Sequence, residues 1–484
     1  MVEKTYERLS LNPWSKLTKV DLASSYEILS KQTAFAIDRE NTTYSEWLKQ
    51  GFLQALHLSD DVKSAIDYQY VMRYYISGFQ DTHINIIFNK KIAPSEVNME
   101  WPGFVVRYDQ GVFAVQSENK TIQIENNVPP SGAVLIECDG LSPDALMGKN
   151  VFPYGGNSNL YVSYLMMTRR LMMYDGNSFV KKIKNCRFLY NGRRYDLDLA
   201  WHVISKTDWQ FIKSQDYQPP NLKFRIKKLS NNIILLTVPT FGLFSEKPIL
   251  KYNNFLKQIP SLRSKSKIVI DLRGNDGGDS ALGDELLTSL YGRYAMYEKI
   301  NYEKNQYELW RASSGNLQYI EQMAVPLAEK KYGKASGNYK YYVVLKQTIQ
   351  NALKTNNELA MIDAFAKNQA LEAEGKPENL YKGSLYLLTD RMCVSACLDF
   401  IGDALRMPNT MLVGESTNAD TAYIDNRRET LSSGYAQISF PMKVIRNRVR
   451  KNNQPFIPQY EYSKDITNTA LVEKWLLIFL SKNN

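Results

Sequence analysis

In DRMCVSACLDF, residues 390–400, a serine stands between two cysteines, just after the apolar run LYLL. Leu398, Ile401 and Leu405 follow at helical spacing, so Ser395 falls in the first turn of a predicted helix. Unpaired amides and the positive end of the helix dipole there lower the cost of negative charge on Oγ or on an attached oxyanion. A serine at that position also serves as an N-cap, and on this segment alone the cap is the better reading. The segment lacks GxSxG, so it is not an α/β-hydrolase elbow. Cys393 and Cys397 read as buried small apolar side chains with a packing role only.

A second candidate is KIVIDLRGNDGG, residues 267–278. A buried strand leads into Asn275–Asp276–Gly277–Gly278, and Leu282, Leu286 and Leu290 then mark one side of a helix. Adjacent glycines at such a junction permit positive φ and close approach of a ligand, and their free N–H groups suit an anion or oxyanion. A lone GG is more often a plain tight turn. The loop is neither GxGxxG nor GxxxxGK[ST], so it predicts no dinucleotide or nucleoside triphosphate site.

A nucleophilic serine needs a base, and the chain has three histidines. His57 lies in a helical stretch and His202 follows Trp201 at a strand end. His83, in FQDTHINIIF, sits where a helix gives way to a strand and a side chain can enter a cleft. Four cysteines without a CxxC, and so few histidines, argue against a metal site; no cofactor is expected.

The elements that must carry these residues are legible in outline. YSEWLKQGFLQALHL and DVKSAIDYQYVMRYYISGF have helical spacing, giving an N-terminal helical region over 1–92. Short strands (GFVVRY, GVFAV, TIQIEN, AVLIECDG, CRFLYNGRRYDLDLAW) with a helical middle, NLYVSYLMMTRRLMMY, give a small β-rich domain over 93–205. From 206 to 484, strands and helices alternate, which implies parallel pairing in an α/β core. A Lys-, Glu-, Asn- and Tyr-rich stretch at about 295–380 reads as a helical surface insertion. Cys138 and Cys186 fall in strands of one domain, and a disulfide between them fits an exported protein.

The length of 484 residues predicts two or three domains, and 44% hydrophobic with 23% charged residues is a globular composition. The charge of +10 comes without a run of basic residues; KVIRNRVRK at 443–451 reads as one solvated face of a strand. Nucleic-acid binding is therefore not expected. No apolar stretch approaches the roughly 18–20 residues of a membrane span; WLLIFL reads as part of a C-terminal helix packed on the body. The start, MVEKTYERLS, has no apolar signal region, which fits a cytoplasmic start or a mature chain whose signal was removed.

Taken in order, DTHINI, IVIDLRGNDGG and LLTDRMCVSACLDF followed by MLVGEST resemble the C-terminal processing (tail-specific) peptidases, whose pattern reads D-x-H-T, I-D-L-R-x-N-x-G-G, S-A-x-E-x-x-A and G-E-x-T. The resemblance covers about 70–465. It implies an α/β multidomain fold: the helical region, a PDZ-like β domain, and a ClpP/crotonase-like catalytic core. One branch of that family pairs its serine with a lysine; here the first lysine after Ser395 is Lys443. His83 occupies the D-x-H position of the tricorn-like branch. The resemblance thus implies a serine endopeptidase with Ser395 as nucleophile, His83 as general base, and an oxyanion hole from Gly277 or Gly278 with Ala396. Its expected substrate is a polypeptide, its setting periplasmic or secreted, and a homodimer is compatible with it. The sequence departs from the family at Leu398 and where a late glutamate is expected: KNNQPFIPQY has no carboxylate, leaving Asn452 or Gln454 as candidate orienters of the imidazole. A peptide- or hydrophobic-ligand-binding protein with decayed machinery, and an acyl-CoA enzyme of the crotonase type, are the alternatives.

Overall fold

Runs of β-branched and leucine residues bounded by polar turns form the central sheet of this computed structural model, which describes residues 12–89, 99–118, 128–363 and 376–482. Of the expected elements, the whole TIQIEN strand and the end of the insertion's last helical stretch lie outside these residues. The chain divides into two units. One runs to Tyr217 and takes back Asp425–Pro441; the other comprises Gln218–Ile424 and the segment from Met442 onward.

The first unit contains both the helical region and the β-rich block expected as separate domains. Helices Pro13–Gln32, Thr43–Leu58 and Ala65–Ser77 pack together, with Leu22, Leu48, Ala55, Val71 and Tyr75 buried between them. Strands Val105–Asp109, Val112–Gln116, Val134–Cys138, Asn185–Tyr190 and Arg193–Asp198 form one antiparallel sheet in that order. Cys138 stands opposite Cys186 in the register, and the two are joined as a disulfide, as the strand assignment allowed. The helical and β-rich parts are tied by Asp67, whose carboxylate accepts from Ser178 N at 2.7 Å, and by Asn157, which donates to Gln80 O at 2.8 Å. Residues 425–441 belong here for a physical reason. The start of the strand Ala436–Arg446 pairs with Asn85–Phe88, and buried Asp21 accepts from Ser433 N, Ser433 Oγ and Tyr68 OH.

The second unit is the α/β core. Ile233–Thr237, Lys267–Asp271, Ser384–Thr389 and Thr410–Gly414 are neighbouring parallel strands, with Arg225–Lys228 antiparallel at one edge and Tyr460–Glu461 at the other. Helices Ser280–Tyr291 and Ala396–Ala404 pack on it through Leu282, Leu286, Leu290, Leu398 and Ile401. The stretch at about 295–380 is not helical throughout. Tyr307–Arg311 and Leu359–Ile362 are paired strands, and Tyr307–Trp310 also pairs with 443–446. Trp310, Ala360 and Ile362 bury there against Leu345 and Ile349 of helix Gly337–Lys354. KVIRNRVRK is likewise no solvated face. Lys443 is buried and bonded to Glu308 at 2.6 Å, while Arg448 and Arg450 hold Asp420.

The strand Lys267–Asp271 ends in a fully buried ion pair. Arg273 Nε and Nη2 grip Asp271 at 2.8 and 2.7 Å, and Nη1 donates to Ile466 O at 2.7 Å. A buried pair with its hydrogen-bonding capacity filled is tolerated, but removing one partner strands the other charge. Replacing Arg273 by Met is therefore expected to destabilise the fold by about 3–5 kcal/mol, measured as a shift in urea unfolding, with part of the loss recovered in Asp271→Asn/Arg273→Met.

Candidate active site

Lys267–Asp271 and Ser384–Thr389 lie side by side in register, Asp271 opposite Leu388, so the turns after their carboxyl ends are neighbours. That end of a parallel sheet is where α/β proteins gather their reactive groups. Buried Asp390 joins the two turns: Oδ2 accepts from Gly274 N at 2.8 Å and Oδ1 from Met392 N at 3.0 Å. Beside them Arg391 grips Glu415 of the GEST segment through two bonds of 3.0 and 2.8 Å.

Ser395 does not cap its helix. Its φ and ψ are 58° and −127°, and its side chain makes no capping bond to the helix Ala396–Ala404. Cys397 N donates to Val394 O at 3.2 Å, closing a turn over Val394–Cys397 with Ser395 at the position that demands positive φ. A side chain held there costs roughly 1–3 kcal/mol, and such strain gathers at functional sites. Ser395 O instead takes the first-turn amides, accepting from Leu398 N at 2.7 Å and Asp399 N at 3.2 Å. The amide of Ala396 has no acceptor among the described residues. Cys393 and Cys397, read from sequence as packing only, are joined to each other across this turn.

The glycines face two ways. Gly277, at φ 92°, is wedged against the serine turn: a Cβ on it would lie 2.6 Å from Val394 O and 2.9 Å from Ser395 Cβ. Its N–H is already committed to Asn275 Oδ1 at 3.0 Å, and its carbonyl accepts from Phe241 N at 2.9 Å. Asn275 is itself buried and pinned through Nδ2 to Val238 O at 3.0 Å. Gly278, at φ 131°, lies against the backbone of Phe241 and Gly242, where no Cβ fits. Its neighbours supply both bonds to Phe241, so its own N–H stays outside that pairing and has no acceptor among the described residues.

In the first unit, His83 follows the turn that ends the helix Ala65–Ser77, with Gln80 at φ 53°. It is 8% exposed, and its carbonyl accepts from Asn426 Nδ2 at 2.9 Å. Asp81 is its neighbour in space as well as in sequence. Its carboxylate accepts from His83 N at 2.8 Å, and Oδ1 lies 3.6 Å from His83 Nδ1. Tyr44 OH donates to the other oxygen at 3.0 Å, and the Asp81 side chain is wholly buried. The remaining histidines are elsewhere: His57 is exposed on the helix Thr43–Leu58, and His202 is exposed on the edge strand His202–Val203.

Asn452 and Gln454 serve their own loop. Asn452 Oδ1 accepts from Ala422 N at 2.8 Å and Gln454 Oε1 from Lys451 N at 3.0 Å, and both residues are exposed. Asp81 stands two residues before His83 in the D-x-H motif, a carboxylate near the imidazole that is not among the orienters expected from the sequence. Asp399, which stands one residue beyond the place where the family has glutamate, accepts from Ser280 Oγ at 3.0 Å and Arg450 Nη2 at 3.1 Å and so ties the serine helix to its surroundings. Among the described residues no cluster of histidine, cysteine and acidic side chains is arranged to hold a metal ion.

Mature CPAF has a similar structure, with a TM-score of 0.55 at 14% identity, covering 97% of this chain and 98% of that one. The same protein complexed with lactacystin gives 0.54 at 14% identity, covering 97% and 99%. At this identity the likeness is one of fold. No curated protein matches the sequence. Residues 232–436, which span the GG turn and the serine turn, match the profile of peptidase family S41. Through that region, less than half of the chain, the sequence is similar to peptidase family S41, which supports a serine peptidase of the C-terminal processing kind.

Proposed function

We propose that the protein is an endopeptidase that cleaves polypeptides through a Ser395 acyl-enzyme, with His83 as general base and Asp81 as the group that orients it. The observation that carries this reading is the backbone of Ser395, held at positive φ with its hydroxyl unused by the helix it begins. His83 takes the Oγ proton as Oγ attacks the peptide carbonyl carbon, and the carbonyl π electrons move onto oxygen. The oxyanion accepts from the N–H groups of Gly278 and Ala396, neither of which has an acceptor among the described residues; Gly277, whose amide is taken by Asn275, instead lets the turns approach. Collapse expels the amine, which receives the proton from His83. Water then attacks the acyl-enzyme with His83 again as base.

Asp81 answers the missing late glutamate. A buried carboxylate with Tyr44 on one oxygen and the His83 backbone on the other is fixed in place, and its Oδ1 faces Nδ1. Such a group selects the imidazole tautomer with its proton on Nδ1 and its lone pair on Nε2, and stabilises the imidazolium that forms. The decayed-scaffold alternative rested on the absence of that carboxylate, so it loses its main support.

The five-stranded antiparallel sheet with helices Pro143–Asn150 and Tyr161–Met167 supports the PDZ-like reading of 93–205, which would take an extended peptide by strand addition. Two disulfides support an oxidising, exported setting. Among the described residues no helix is long and apolar enough to cross a membrane.

A fluorophosphonate probe tests the assignment. Wild type should label at Ser395, Ser395→Ala and His83→Ala should not, and Asp81→Asn should label about 10³–10⁴-fold more slowly. Equal labelling of Asn452→Ala and wild type is expected; a loss there with Asp81→Asn intact would return the orienting role to the late loop. Gly277→Ala carries a separate expectation, because its Cβ collides with Val394 O and Ser395 Cβ. Displacing the nucleophile by that contact should slow labelling by about 10²-fold, and an unchanged rate would show that the wedge is dispensable.

A further inference from the structure

We propose that the Cys393–Cys397 disulfide is the clamp that holds Ser395 in its reactive backbone conformation, so that the peptidase is competent in an oxidising compartment and idle in a reducing one. The inference rests on Ser395 being the nucleophile. The bridge closes the five residues Cys393–Val394–Ser395–Ala396–Cys397, with the serine at their centre. The Cα atoms of the bridged residues are 5.4 Å apart, within the ordinary span of a disulfide.

A positive φ on serine persists only where its surroundings impose it. On one side of the turn, Cys393 is held by its N–H to Asp390 O at 3.2 Å and its carbonyl from Asn418 N at 3.1 Å. On the other, Cys397 is the second residue of the helix Ala396–Ala404, whose apolar face is packed in the core. The bridge fixes the distance between these two anchors. Without it, the internal closure of the turn among the described residues is the 3.2 Å hydrogen bond from Cys397 N to Val394 O. Ser395 then has a route back to negative φ, which swings Oγ and the Ala396 amide together away from their present directions. A bridge closing so short a loop removes little entropy from the unfolded chain, so its consequence is local. The Cys138–Cys186 bridge, 48 residues apart in sequence and in the other unit, has no such relation to Ser395.

Reduction is a two-electron exchange with a dithiol. A thiolate of the reductant attacks one bridge sulfur, the other leaves as the thiolate and takes a proton, and the reductant's second thiol resolves the mixed disulfide. Cys393 and Cys397 end as thiols and the reductant as a disulfide. Both sulfurs belong to fully buried residues, so exchange proceeds through opening of the turn and is slow against a folded reductant.

The test uses the full chain with Cys138→Ala/Cys186→Ala as background, so that one bridge remains. That background should label with the fluorophosphonate probe like wild type. Dithiothreitol, or Cys393→Ala/Cys397→Ala, should slow labelling at least tenfold with little change in Tm, and reoxidation should restore the dithiothreitol-treated protein only. Hydrogen exchange gives an independent readout, because the Leu398 and Asp399 amides donate to Ser395 O. Their protection should fall at least tenfold on reduction whether or not Ser395 reacts. Unchanged protection and labelling after verified reduction would overturn the clamp, as would free Cys393 and Cys397 thiols in protein made under oxidising conditions. Lost protection in a protein that never labels at Ser395 would sustain the clamp and sink the nucleophile assignment instead.

Discussion

Two backbone turns approach so closely that no side chain fits between them, and the organisation of the site depends on that contact. Gly277 meets the Val394–Ser395 turn at a separation that excludes a Cβ. The approach is prepared by the sheet, since Lys267–Asp271 and Ser384–Thr389 are adjacent parallel strands whose ends must finish together. It is then fixed by polar bonds rather than by packing. Asp390 spans both turns, and Asn275 takes the amide of Gly277 while anchoring itself to the strand end at Val238. With Gly277 so occupied, the amides of Gly278 and Ala396 have no acceptor among the described residues.

The unit that holds these turns buries several charges that are paired and hydrogen-bonded. Asp271 and Arg273 are wholly enclosed, and the guanidinium finds a third partner in Ile466 O. Asp420 collects Arg448 and Arg450, and Arg450 reaches on to Asp399 in the first turn of the serine helix. Such networks contribute less net stability than hydrophobic burial of equal volume, but they admit one geometry. That holds the helix Ala396–Ala404, which Ser395 precedes, in one position.

The first unit uses the same device for its histidine. Asp81 is buried, Tyr44 holds one oxygen, and the His83 backbone holds the other, so the carboxylate and imidazole are placed by one short turn. A carboxylate two residues before the histidine requires no distant segment to arrive correctly. The late loop around Asn452 and Gln454 binds its own backbone and that of Ala422.

Local periodicity and chain order made legible the alternating core, the helix after Ser395, the glycine pair and the described strands of the β-rich block. The sequence also supplied the family resemblance, because its motifs recur in order. Tertiary structure decided what depends on dihedral angles and contacts across space. The serine's positive φ separates a strained turn residue from a cap, and composition does not encode it. Whether Cys393 and Cys397 merely pack or bond depends on how the turn folds back. The strands hidden at 307–311 and 359–362 became strands because 443–446 offers a partner, and 425–441 returned to the first unit because Asp21 and Asn85–Phe88 hold it there. Asp81 is in plain view in the sequence, but its burial and the Tyr44 bond that fix its carboxylate near the imidazole depend on the folded chain.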